Sequence, residues 1–306
     1  MTRTALILGA NGRFGRNAAE AFWNAGWRVQ LFDRSSGDLM LAAAGMDVIV
    51  NAWNPPYTEW ASRMPDLTQQ VIDAAKSNNA TVVLPGNLYV FGPSSPAVLG
   101  AHTPHAATNP LGLVRRDMEE AYKSSGVKTI LLRAGDFLDT EASGNWFDKI
   151  MAPSLKKGVL TYPGKTDVPH AWAYLPDMAR AAVALCDKRA ELSDFADIPF
   201  PGYTLTAQDL AQHCAKTLDR DVKVRKMTWL PIQVAKIVWP MAKHLLEMRY
   251  LWKMPHRMDG GLFNSLLPDF TPTPPETALR HALAPFNATP NPPKRGGEAL
   301  HSAPAA

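Results

Sequence analysis

TALILGANGRFGRNAAEAFWNAGW, residues 4–27, joins a short apolar run to an amphipathic helical pattern through a turn with glycines at positions 9, 12 and 15. A strand that ends in G-x-x-G-x-x-G and opens a helix is a phosphate cradle. Gly9 permits the tight turn, Gly12 lets the backbone come close to a pyrophosphate, and Gly15 allows the helix to pack against the strand. The first NH groups of the helix and the positive end of its dipole then face the anion. Asn11, Arg13 and Phe14 fill the loop between the glycines, and Ala52, at the end of the third predicted strand, completes the expected cofactor contacts. Asp33 lies 18 residues beyond Gly15, where a carboxylate can accept hydrogen bonds from an adenosine ribose and so favour NAD. Arg34 beside it and Arg13 in the loop could instead clamp a ribose 2′-phosphate. The balance favours NADP(H), with NAD(H) as the alternative.

Working outward, β-rich runs alternate with helical patterns: TALILG, a helix from Arg13 to Ala25, WRVQLFD, MDVIVNAW, a helix over LTQQVIDAAKSN, ATVVLPG, NPLGLVRRDMEEAYKSSG and VKTILLRAG. In NPLGLVRRDMEEAYKSSG, residues 109–126, Asn109 can cap a helix, Pro110 suits its first turn and Gly126 can end it. Strand alternating with helix predicts an α/β fold with a doubly wound parallel sheet. After Gly135 the rhythm loosens into a helix near 145–157, an extended PHAWAYLP, and helices over DMARAAVALCDK, TAQDLAQHCAKTL and TPPETALRHAL, the last with Thr273 and Glu276 as a capping box. The expected organisation is a nucleotide-binding domain over 1–142, a smaller, partly helical substrate lobe over 143–285, interleaved or not with the first, and a poorly ordered Pro/Ala/Gly-rich tail over 286–306.

The 306 residues suffice for a large core, and 46% apolar with 20% charged residues is ordinary globular usage. The net charge of +4 is spread along the chain and gives no nucleic-acid signature. Cys186 and Cys214 form no redox or metal spacing, so the expected setting is reduced and cytoplasmic, and no metal is expected. No run reaches the roughly 18 apolar residues of a membrane span. The segment 229–252, rich in Trp and Met, reads as a pocket lid in preference to an interfacial helix.

GANGRFG, NAWNPPY after the third strand, LPGNLYVFGP after the fourth, LLRAGDF after the fifth and AWAYLPDMARAAVAL in the second lobe together resemble the extended and atypical short-chain dehydrogenase/reductases, the NAD-dependent epimerase/dehydratase-like proteins, over about residues 3–285. In that superfamily a Ser or Thr after the fourth strand and a Tyr and Lys four apart on the next helix carry the chemistry. The resemblance puts Asn87, Leu111 and Arg115 at those places. Leucine cannot donate a proton. Arg115 is therefore expected to hold the nicotinamide ribose, and Tyr89, in NLYVFG, to be the replacement donor or an aromatic packed on the sheet end. Asp136 falls near the nicotinamide end by the same analogy. His170 stands where nucleotide-sugar enzymes of this kind place an arginine for a substrate phosphate. Trp172 and Trp146 are candidates for an apolar pocket wall, with core packing expected of at least one.

Three functions follow. The first is a reductase or dehydrogenase of a small carbonyl or alcohol without nucleotide; the second is a non-catalytic cofactor sensor, favoured by Leu111. A nucleotide-sugar epimerase or dehydratase comes third, opposed by Leu111 and His170.

Overall fold

Alternation along each strand divides the interior into two layers. Leu6, Leu8, Ile49, Val82, Leu84 and Leu131 point to one face of the sheet, and Ala5, Ile7, Val48, Val50, Val83, Ile130 and Leu132 to the other. Both faces are therefore buried, as a parallel sheet requires. The computed structural model describes residues 3–35 and 37–287. Its main sheet has six parallel strands in the order Phe195–Pro199, Thr129–Arg133, Thr81–Gly86, Val48–Asn51, Thr4–Leu8, Arg28–Phe32. Helices Arg13–Asn24 and Leu175–Asp187 cover one face. Helices Trp60–Asn78 and Pro110–Ser125 cover the other. Each large apolar side chain placed in these layers contributes roughly 1.5–3 kcal/mol.

The order has one functional consequence. Thr4–Leu8 is flanked by Arg28–Phe32 on one side and Val48–Asn51 on the other, so the chain reverses its course across the sheet there. A crevice opens beyond the C-terminal ends of the strands at such a point, where nucleotides bind in open α/β sheets. Between the second and third strands the chain forms only the one-turn helix Leu39–Ala42, capped by the Asp38 carboxylate.

The second lobe is not a separate stretch of chain. Its core gathers Phe147, Met151, Leu160, Tyr162, Trp172, Trp252 and Leu279. Yet helix Leu175–Asp187 and strand Phe195–Pro199 return to the main sheet, so residues 175–199 belong to the first layer system. That sixth strand, FADIP, has no counterpart in the sequence reading. His170–Tyr174 pairs with Tyr203–Leu205 and Asp136–Leu138 in a small sheet that bridges the lobes.

Several local expectations change. Helix Trp60–Asn78 begins seven residues before its apolar pattern at Leu67, taking Pro65 near its start. Asn109 caps nothing with its side chain, which donates to Met248 Sδ, while Gly126 does end the helix in the left-handed region (φ 74°). Thr273 makes no capping box: its hydroxyl and NH both donate to Asp177, at 2.7 and 2.6 Å. The capping box stands at Thr206 and Asp209 instead. The last helix runs to Asn287, into the segment read as tail, and 288–306 lie outside the described residues.

Arg133, wholly buried, sits between the carboxylates of Glu119 (2.7 Å) and Asp197 (2.6 Å) and donates to the Asn87 carbonyl (2.7 Å). His105, Glu119 and Asp197 could by spacing hold a metal, but the guanidinium already occupies their centre. Desolvation raises the Asp197 pKa and the ion pair opposes this, the usual balance for a buried pair.

Candidate active site

One cavity of about 1200 Å³ follows the crevice from the second strand to the second lobe. At its centre the turn after the first strand has the shape its glycines allow. Gly9 lies at φ +75°, where a Cβ would stand 2.9 Å from the Ala52 carbonyl oxygen. A Cβ on Gly15 would meet the Gly9 carbonyl oxygen at 2.1 Å, so this residue fixes the helix against the strand from behind and does not line the cavity. Gly12 is the N-cap of helix Arg13–Asn24, and its NH donates to the Gly9 carbonyl at 2.8 Å. Gly9, Asn11, Gly12, Arg13 and Phe14 all face the cavity, as does Ala52 across from them. A loop with no side chain in the way and a helix dipole behind it fits a dinucleotide pyrophosphate.

At the outer end Asp33 and Arg34 also line the cavity. Asp33 Oδ1 accepts from the NH and hydroxyl of Ser35, a turn that holds the carboxylate near its own backbone. The Arg34 guanidinium lies 5.7 Å from the Trp53 ring centroid, and Trp53 packs on Phe32. Arg13 does not join it. Its Nε and Nη2 donate to the carbonyls of Ser143 and Gly144, at 3.0 and 2.8 Å, and strap the glycine loop to the second lobe. Those carbonyls are held in turn by Asp148, whose Oδ2 accepts from the NH groups of Gly144 and Asn145. Arg16 makes a parallel strap to Asp139 at 2.7 Å.

At the inner end two tyrosines meet. The hydroxyls of Tyr57 and Tyr89 are 2.5 Å apart, and both rings pack on Trp60. Burial raises the pKa of Tyr57 and, more strongly, that of Tyr89. The nearby Arg13 charge lowers both and the Asp136 charge raises both. Either hydroxyl can donate to the other, so whichever loses its proton keeps a hydrogen bond from its neighbour. Asn87 Oδ1 accepts the NH of Tyr89 at 3.0 Å, so this residue shapes the loop that presents Tyr89.

Arg115 is buried, yet touches the cavity; Nη2 donates to the Pro85 carbonyl at 2.8 Å, and the guanidinium lies 5.9 Å from the Trp60 ring centroid. It braces the end of the fourth strand as well as facing the site. Leu111, one turn earlier, is buried in the core beside Met248 and Leu251, and its NH donates to Glu247 at 3.0 Å. The second lobe closes this position.

The second-lobe wall includes Asp136, Asn145, Trp146, Leu251 and His256. Asp136 Oδ2 accepts from His170 Nε2 at 2.7 Å, and the His170 ring stacks on Trp252 at 4.2 Å and 9°. His170 is buried behind the wall and orients the carboxylate that faces the cavity. Of the two tryptophans, Trp146 lines the cavity and Trp172 is core. His256 Nδ1 donates to the Met254 carbonyl at 3.1 Å, which leaves Nε2 an acceptor with no protein partner. Burial, with His170 adding to it, lowers its pKa to about 3, so the ring is neutral. Asn145 Nδ2 is likewise without a protein partner. Both atoms are shielded from solvent, so the two residues line the cavity with other atoms and each keeps an unsatisfied polar atom behind the wall.

No protein-family model and no curated protein matches the chain. Solved structures do. A GalE-like L-threonine dehydrogenase from Cupriavidus necator superposes with a TM-score of 0.71 over 94% of this chain and 100% of its own, at 16% identity. The chain shares its fold with this dehydrogenase, with a UDP-galactose 4-epimerase and with a dTDP-4-dehydrorhamnose reductase. Two further structures with this fold are MoeE5 in complex with UDP-glucose and NAD (TM-score 0.69, 13% identity, 93% and 98% covered) and the GDP-mannoheptose C4 reductase of Campylobacter jejuni with NADP bound (0.68, 14%, 94% and 99%). Among the residues lining this cavity the sequence reading missed Tyr57, Trp53, Asn145 and His256. NAWNPPY carried the signal for the first two, since an aromatic just after a strand at the crevice faces the ligand. Nothing local marks Asn145 or His256, which tertiary folding brings to the wall.

Proposed function

We propose that the chain is a nicotinamide-dependent reductase or dehydrogenase acting on a small carbonyl or alcohol compound that carries no nucleotide. The observation that carries this reading is the Tyr57–Tyr89 hydroxyl pair in the same cavity as the glycine cradle. Backbone NH groups at Arg13 and Phe14 would hold the pyrophosphate, with Asn11, Gly12 and Ala52 around it and Arg115 toward the nicotinamide ribose. The nicotinamide supplies or accepts hydride. Tyr57 donates a proton to the substrate oxygen, and Tyr89 donates a hydrogen bond to the Tyr57 oxide that results. Asp136, steadied by His170, orients the substrate's polar groups. Because burial raises both tyrosine pKa values, the pair is protonated at neutral pH and serves reduction better than oxidation. The preference for NADP(H) rests on Arg34 alone, since Arg13 is committed to the second lobe. Two free, buried cysteines fit a cytoplasmic setting.

The absence of a nucleotide from the substrate is inferred from the second-lobe wall: Trp146, Leu251 and His256 line it, and His170 is engaged with Asp136. A second reading, a cofactor-binding sensor without turnover, is favoured by the closure of the Leu111 position. NADPH oxidation with a panel of aldehydes and ketones, with UDP-glucose as competitor, decides between them. Turnover that falls in Tyr57→Phe and ignores UDP-glucose supports the reductase. Tight cofactor binding with no turnover transfers the case to the sensor, and competition by UDP-glucose to the nucleotide-sugar enzymes.

A further inference from the structure

The segment read as a lid has two faces. Its ends point inward: Trp229 is buried with its NH on the Pro163 carbonyl, Ile232 packs on the second-lobe core, the His244 ring packs on Tyr57, and Leu251 lines the cavity. Between them lies a stripe that covers nothing. Leu230 and Val234 stand one turn apart on helix Leu230–Ala235, and Ile237 and Val238 continue the same face through the turn that follows. These side chains are 64%, 61%, 82% and 85% exposed, and Trp239 beside them is 45% exposed. Helix-spaced aliphatic side chains of this exposure are an unpartnered apolar face.

The charge around the stripe selects what covers it. From Val222 to Leu246 the sequence contains Lys223, Arg225, Lys226, Lys236 and Lys243 and no Asp or Glu. All five cations are exposed. A second copy docked symmetrically would set these cations against their own counterparts with no acid on the stripe to receive them. Anionic headgroups accept them, and an interfacial tryptophan suits the same depth. Among the described residues no helix is long and apolar enough to cross a membrane, so contact would be with the surface.

We propose that the face formed by Leu230, Val234, Ile237, Val238 and Trp239, framed by Lys226, Lys236 and Lys243, docks on an anionic lipid bilayer with its apolar side chains at the headgroup boundary. The docked stripe continues into helix Pro240–Glu247, whose Glu247 holds Leu111 and whose His244 packs on Tyr57, so the bilayer bears on the element that walls the cavity.

The test is flotation of the full chain with vesicles of phosphatidylcholine alone or with phosphatidylglycerol added. Binding to the anionic vesicles and little to the neutral ones is expected. Ile237→Ser with Val238→Ser should weaken it about a hundredfold, from the lost apolar burial. Lys236→Gln with Lys243→Gln should weaken it about thirtyfold and reduce its salt dependence. Thermal midpoints and cofactor binding equal to the parent's show that the variants are folded. The proposal is overturned if the parent ignores anionic vesicles, if the serine variant binds as the parent does, or if neutral vesicles bind equally well. It is also overturned if the stripe instead mediates a concentration-dependent self-association that the serine variant abolishes.

Discussion

The glycine end of the cavity is made from one contiguous stretch, residues 9–15, shaped by backbone atoms that approach closer than a side chain would tolerate. The tyrosine end is assembled from side chains on five separate segments, carrying Tyr57, Tyr89, Asp136, Asn145 and His256. The first is fixed by sterics among its own strand and helix and the Ala52 carbonyl beside Gly9. The second depends on loops, on the straps from Arg13 and Arg16, and on the second lobe. Substitutions at the glycine end should therefore act on folding and cofactor binding, and those at the tyrosine end on turnover.

The sharpest break in that contrast is Gly15→Val. Its side chain would have to enter space held by the Gly9 carbonyl, 2.1 Å from an ideal Cβ. A loss on the order of 4 kcal/mol, near the upper range for single substitutions, is expected in chemical denaturation. Denaturation at the parent's midpoint would show that the turn yields.

Tyr57→Phe keeps the ring on Trp60 and removes one hydroxyl. Turnover should fall about a hundredfold to a thousandfold with cofactor affinity unchanged, and Tyr89→Phe should cost less because Tyr89 only supports the Tyr57 oxide. If the order is reversed, Tyr89 is the donor. In the parent, reduction should persist at pH values above the ordinary tyrosine range, since the neutral donor survives until pH passes the raised pKa.

His256 extends the comparison to stability. The folded ring has a pKa of about 3 against 6.5 for a free one, so between these values the unfolded chain binds the extra proton and stability falls as pH is lowered. The slope this adds is about 1.4 kcal/mol per pH unit. His256→Asn should flatten the decline between pH 6.5 and about 5, as read by urea midpoints across that range. An unchanged slope would place a polar partner on Nε2.

The smallest effect belongs to Arg34→Ala, which should remove a preference for NADP(H) over NAD(H) of about tenfold. A parent with equal affinities would make Asp33 the deciding residue.

What the sequence revealed follows the same division. The strand, the three glycines and the helix could be read because each acts on its near neighbours, and the alternating rhythm gave the parallel sheet up to Thr129–Arg133. Strand Phe195–Pro199 was invisible because it carries Asp197 inward to Arg133, an ion pair that breaks the apolar pattern. Arg13 was misassigned to the ribose because position in the loop does not tell where a long side chain reaches. Asp136 and His170 were each noted singly; only the register of the bridging sheet, Asp136 opposite Trp172, brings them together. Asn145 sits just before the π-helical turn Phe147–Met151, a local irregularity that simple periodicity does not describe.

Calorimetric titration of the parent and of Gly12→Asp with NADPH and NADH reaches the central claim most directly. Gly12 caps the helix whose NH groups face the cavity, so an added carboxylate would meet the pyrophosphate with like charge. Saturable binding to the parent, weakened about a hundredfold in a variant that still unfolds cooperatively, is the expected result. No binding to the parent, or equal binding to both, would contradict the nucleotide cradle and the enzyme built around it.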